Sequence, residues 1–137
     1  MTRQWSESLR FRRMRPLDEI RTALAYYRRL SRLMPFLEEN FRDPALRVER
    51  AARHCGISST HLNFLLKGTT GFTSHKLLSR FRIEKARRRM AEENLSLLEI
   101  ALESGFNSQL TFTRQFRSWT GQLPSEYRDQ IRRNLRV

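Results

Sequence analysis

At 137 residues the chain has room for one compact domain or two very small ones. Lysine and arginine number 27 against 14 acidic residues, a formal net charge of +13. That excess predicts attraction to polyanions, nucleic acid ahead of a membrane surface or an acidic protein, weakening as salt rises. A single cysteine, Cys55, excludes an internal disulfide framework. No apolar run is long enough to span a bilayer and the first residues carry no secretory pattern, so the expected address is cytoplasmic.

The pattern along the chain is all-α. Residues 1–16 set Arg3, Arg10, Arg12, Arg13 and Arg15 around Trp5 and Phe11. They read either as an arm on DNA phosphates or as a solvated terminus, the second being favoured. Pro16 suits a helix start. Leu17, Ile20, Leu24, Tyr27 and Met34 then recur at near-heptad spacing until Pro35, which should kink or end the helix near Leu33 or Met34. This stripe on residues 17–34 suits either a homodimer contact or a helix lying on the rest of the domain. A further helix is expected over 36–41, and Arg42-Asp43-Pro44 is a turn.

Residues 46–55 read as a helix stopped by Gly56. Ser58 or Ser59 should cap the next, which runs to about Lys67, with Gly68–Gly71 as a loop. A long helix over 74–92 carries Arg80, Arg82, Lys85, Arg87, Arg88 and Arg89, predicting a strongly basic outer face. Ser96 with Glu99 has the form of a capping box. A short helix through Ile100 and Ala101 stops at Gly105, and Asn107 or Ser108 caps a helix that buries Phe112 and Phe116. After Tyr127 a basic helical tail follows.

The chain also repeats itself. Ala52, Gly56, Ile57 and Ser58 match Ala101, Gly105, Phe106 and Asn107 at an offset of 49; Leu62, Leu66, Lys67 and Gly71 match Phe112, Phe116, Arg117 and Gly121 at an offset of 50. One residue has been added in the second turn. The two copies have helix-turn-helix logic, in which one helix braces and the next presents polar side chains to a DNA groove. Between them, a helix of about 18 residues spans roughly 27 Å, close to the 34 Å that separates successive major grooves on one side of a duplex.

In this spacing Ile100-Ala101, Gly105-Phe106, Phe112, Phe116-Arg117, Gly121, Pro124 and Tyr127-Arg128 resemble the signature of the AraC/XylS family of bacterial transcription regulators. The likeness covers about residues 36–128. It implies two helix-turn-helix subdomains joined by a long central helix, here with an N-terminal helical extension. The expected divisions are 1–35 for the extension, 36–73 for the first subdomain, 74–92 for the linker helix and 93–137 for the second subdomain. The resemblance further implies contact with RNA polymerase, genes switched on, and a nucleoid-associated place in the bacterial cytoplasm. Most members carry a separate effector-binding or dimerisation domain, and nothing of that size lies in this sequence. The expectation is therefore action without a ligand, or a shortened relative that keeps a dimer helix.

By helical periodicity the DNA-facing residues of the first unit are Ser59, Thr60, Asn63, Phe64 and Lys67. Those of the second are Ser108, Gln109, Leu110, Thr113, Arg114 and Arg117. Asn63 suits adenine, Phe64 a thymine methyl, and Arg114 guanine. Lys67 and Arg117, at helix ends, suit phosphates. Phe64 also has a reading as core. Family members commonly carry a polar residue at Phe64, Leu110 departs similarly, and Arg47 stands where a small capping residue is usual.

His54, Cys55 and His61 are too few for a closed zinc site, so no metal is expected. No phosphate loop, nucleophile elbow or paired-histidine metal motif is present. The expectation is no enzyme and no cofactor, but a sequence-specific regulator of double-stranded DNA. The alternative is a non-specific architectural or accessory DNA-binding protein.

Overall fold

A computed structural model describes residues 17–26, 28–92 and 94–135. The basic stretch 1–16, Tyr27 and the last two residues lie outside the described residues, and with them the reading of 1–16 as an arm. The described residues form eight α-helices and one 3-10 turn, with no strand among them. They divide into two compact units, one ending at Phe81 and one beginning at Arg82.

The N-terminal unit starts with α1 (Leu17–Tyr26), a 3-10 turn (Leu30–Arg32) and α2 (Leu33–Asn40). Pro35 does not end a helix as expected. It sits in the first turn of α2, where the missing N–H has no intrahelical acceptor to lose. The apolar stripe is spent inside the unit. Ile20 is 0% exposed and Leu24 1%, in one core with Leu30, Leu33, Leu62 and Leu66. Leu17–Tyr26 therefore lies on the first helix-turn-helix copy, with Ile20 and Leu24 covered inside this unit. Its buried residues and those of the first copy belong to one core.

Next come α3 (Val48–Cys55) and α4 (Ser59–Thr70). Asp43 shapes the turn before α3 by accepting the Ala45 N–H at 2.9 Å. Asn40 holds the Phe36 carbonyl and accepts a guanidinium N–H of Arg50 at 2.9 Å. The loop expected at Gly68–Gly71 is the last turn of α4, which runs through Gly68 and stops at Gly71, whose φ is +79°. That left-handed conformation suits glycine.

The long helix, α5 (Ser74–Arg89), gives Leu77, Leu78 and Phe81 to the N-terminal core and Ile83 and Ala86, joined by Met90 just beyond its end, to the C-terminal one. Its expected basic outer face is mostly not outer. Arg80 is buried. Arg87 bonds Glu84 at 3.1 Å and the Tyr127 hydroxyl at 3.0 Å, and Arg89 pairs with Glu103 at 2.9 Å. Helical periodicity located these arginines on one side but could not count the carboxylates that meet them.

The C-terminal unit continues with α6 (Leu97–Glu103), α7 (Gln109–Thr120) and α8 (Pro124–Leu135). α8 begins before Tyr127, not after it. Pro124 occupies its first position and Glu126 accepts the Leu123 N–H at 3.1 Å, which closes its start. Rings link the core: Phe106 to Phe112 at 5.3 Å, Phe112 to Phe116 at 5.6 Å and Phe116 to Tyr127 at 5.4 Å between centroids. Arg128, buried on α8, donates to the Glu92 carbonyl just beyond α5.

Candidate nucleic-acid interface

The two copies build the same hinge from the same parts. In each, a glycine with positive φ ends the bracing helix: Gly56 at +74° and Gly105 at +98°. The next residue turns back, Ile57 N–H to the Ala52 carbonyl at 3.1 Å and Phe106 N–H to the Ala101 carbonyl at 3.0 Å. A serine then starts the second helix. Ser58 Oγ accepts the His61 N–H and Ser108 Oγ accepts the Thr111 N–H, each at 3.1 Å. The added residue of the second copy is thus Asn107, which lengthens the turn ahead of the cap.

Both recognition helices, α4 and α7, are 12 residues long and end alike. The Thr70 hydroxyl donates to the Leu66 carbonyl at 2.8 Å and accepts the Phe72 N–H at 3.0 Å. Thr120 does the same with the Phe116 carbonyl at 2.8 Å and the Gln122 N–H at 3.2 Å. This pair of buried hydroxyls was not singled out by sequence reasoning, although the shared Thr-Gly at 70–71 and 120–121 signals it.

On the outer face of α4, Thr60, Phe64 and Lys67 are exposed, and Ser59 and Asn63 are half-buried. Phe64, at 75% exposure, is not core. Asn63 is engaged: its Oδ1 accepts the Ser74 N–H at 2.9 Å and closes the start of α5. That bond uses one of the two lone pairs of the oxygen that a two-point contact to adenine would need. On α7, Gln109, Leu110, Arg114 and Arg117 are exposed, and Ser108 and Thr113 half-buried. Ser108 is spent on the cap and on the Thr111 hydroxyl at 3.0 Å. Two further exposed residues share these faces, His61 on α4 and Ser118 on α7. Their spacing, three residues before Phe64 and four after Arg114, is the signal that could have found them.

Support for the two faces differs. Ser96 Oγ accepts the Glu99 N–H at 3.0 Å at the start of α6. Arg47, at the same place before α3, makes no side-chain cap bond. In the N-terminal unit the guanidinium of Arg29 donates to the Gly56 carbonyl at 2.8 Å, so the extension grips the hinge glycine directly.

A family model described as a helix-turn-helix domain matches residues 51–130, spanning both copies. The chain belongs to the AraC/XylS family of transcription regulators. The matched residues are the DNA-binding part of such a regulator. The chain is 32% identical over 88 residues to the probable transcription factor PqrA of Proteus vulgaris, covering 64% of this chain and 72% of PqrA. It is 40% identical over 82 residues to the ornithine utilization regulator of Pseudomonas aeruginosa, covering 60% of this chain and 24% of that regulator. The crystal structure of a Chromobacterium violaceum transcriptional regulator with an AraC-type DNA-binding domain superposes with a TM-score of 0.71. Identity there is 26%, over 77% of this chain and 94% of that one. AraC-type regulators thus share this chain's two-copy architecture. Among the described residues no helix is long and apolar enough to cross a membrane.

Proposed function

We propose that this chain is a sequence-specific, double-stranded DNA-binding activator that inserts α4 and α7 into major grooves of one target site. The supporting observation is that two copies of one scaffold each present a short outer face, Thr60-Phe64-Lys67 and Leu110-Arg114-Arg117, on equivalent turns. Arg114 reads guanine, since its guanidinium is exposed in the middle of α7 and guanine offers it two acceptors. Gln109 and Thr113 flank it. Lys67 and Arg117, in the last turns of their helices, hold phosphates. Ser59 and Ser108 lie at helix starts, where backbone N–H groups favour an anionic oxygen.

The relatives are named as transcription factors and regulators, which supports an action at promoters through RNA polymerase in the bacterial cytoplasm. Selection of sites from a random DNA pool at roughly physiological salt tests this. Two enriched blocks about ten base pairs apart are the expected result. No enrichment, with binding lost steeply as salt rises, would replace specific regulation by non-specific, architectural binding. Transcription from a promoter carrying the selected site, with purified polymerase, should rise when the protein is added; a fall would overturn activation.

A further inference from the structure

Five large apolar side chains stand exposed among the described residues, and two of them, Phe64 and Leu110, are on the outer faces of the recognition helices. Phe64 is 75% exposed and Leu110 60%. Neither packs into the core that its own helix builds from Leu62 and Leu66, or from Phe112 and Phe116. A major groove offers one apolar group at base edges, the C5-methyl of thymine. Apolar side chains gain by leaving water against it, and gain nothing beside the oxygen and nitrogen acceptors of a G·C pair.

The repeat register sharpens this. Thr60 corresponds to Leu110 and Phe64 to Arg114, each fifty residues apart. Both helices therefore carry one apolar and one polar group on adjacent turns of the same face, in opposite order. α4 leads with a hydroxyl and follows with a phenyl ring; α7 leads with an isobutyl group and follows with a guanidinium.

We propose that Phe64 and Leu110 each read a thymine methyl, so that the two halves of the target differ in where that methyl lies. This rests on the reading of α4 and α7 as groove-inserted helices. Four residues of helix rise about 6 Å along its axis, roughly two base-pair steps. In the half read by α7 the methyl meets the start of the helix, with guanine deeper along it. In the half read by α4 the methyl meets the second turn. The target is then two unlike blocks, not a repeat of one.

The test uses the full chain and a site recovered by selection, with each thymine replaced in turn by deoxyuridine, which removes only the methyl. Affinities are measured at roughly physiological salt. At one thymine in each block, loss of the methyl should weaken binding about fourfold, the ratio that corresponds to about 0.8 kcal/mol for one buried methyl-sized group. Phe64→Ala should abolish the sensitivity in one block and leave it in the other, and Leu110→Ala should do the reverse. Both residues are exposed, so helicity by circular dichroism should match the unaltered protein in both variants. Sensitivity in neither block, or sensitivity that survives both substitutions, overturns the inference while specific regulation stands. A pool with no enriched site overturns both.

Discussion

In the N-terminal copy the recognition helix is supported from outside, by α1 laid against α4 and by Arg29 on the carbonyl of Gly56. In the C-terminal copy the support is internal, a run of rings from Phe106 through Phe112 and Phe116 to Tyr127, fastened by Arg87 on the Tyr127 hydroxyl. The hinge between the two helices uses the same glycine, turning amide and serine cap in both, with Asn107 added in the second. A helix-turn-helix hinge therefore constrains its own few residues tightly and leaves open how the remaining faces are covered. Its outward positions are freer still: Phe64 and Arg114 occupy one site on one scaffold and have opposite chemistry.

The contrast in support can be broken most directly at the rings. Phe112→Ala should lower unfolding free energy by about 4 kcal/mol, since it removes a fully buried ring with neighbours on two sides. Its counterpart Leu62→Ala should cost less, about 3 kcal/mol, because α1 and its core remain around the gap. Urea unfolding measures both. An equal or larger loss at Leu62 would mean that the ring ladder is not what holds the C-terminal copy.

The contrast in reading comes next. Arg114→Ala should weaken binding to the selected site by about 2 kcal/mol, roughly thirtyfold, with little change on scrambled DNA. Asn63→Ala should lower affinity for both DNAs alike, because it removes the bond that closes the start of α5. Competition titrations with the two DNAs separate these outcomes. A site-selective loss at Asn63 would show that its bond to Ser74 gives way on DNA.

Caps provide a smaller and symmetrical test. Ser96→Ala should destabilise the chain by about 1 kcal/mol, and Arg47→Ser should stabilise it by about the same amount. Thermal unfolding of both variants would show whether the start of α3 is as open as its geometry indicates.

The smallest effect concerns Cys55, which has no counterpart in the C-terminal copy. Burial pushes its thiol above the ordinary value of 9.0, with Arg32 pulling weakly the other way. The unfolded chain then loses its proton first. The contribution to stability is full below about pH 9 and fades as pH rises through the higher folded value. The stability of the unaltered protein should fall slightly as pH rises above about 9, and that of Cys55→Ala should fall less.

Much of this was legible from residue order. The helical periods, the glycine stops, the serine caps and the fifty-residue repeat are all local signals, and the fold obeys them. What was not legible depended on partners distant in sequence. Ile20 and Leu24 read as an apolar stripe whichever surface covers them, so periodicity could not distinguish a second chain from Leu62 and Leu66 of the same chain. Asn63 looked like a base reader because nothing in its own helix reveals a backbone N–H arriving from Ser74. Pro35 reads as a kink or a stop because residue order does not show that the helix has already broken before the 3-10 turn, which leaves proline in a first turn. Phe64 left two readings open, and only its exposure decided between them.

The paired threonines have a consequence for time. The amides of Phe72 and Gln122 lie just beyond the helices, yet each is held by a hydroxyl that is itself shielded from water. Both hydrogens should persist in deuterated solvent long after those of neighbouring loop amides have gone. They form a matched pair of clocks, one per unit and in the same chemical setting, so the ratio of their rates reports which half of the molecule opens first.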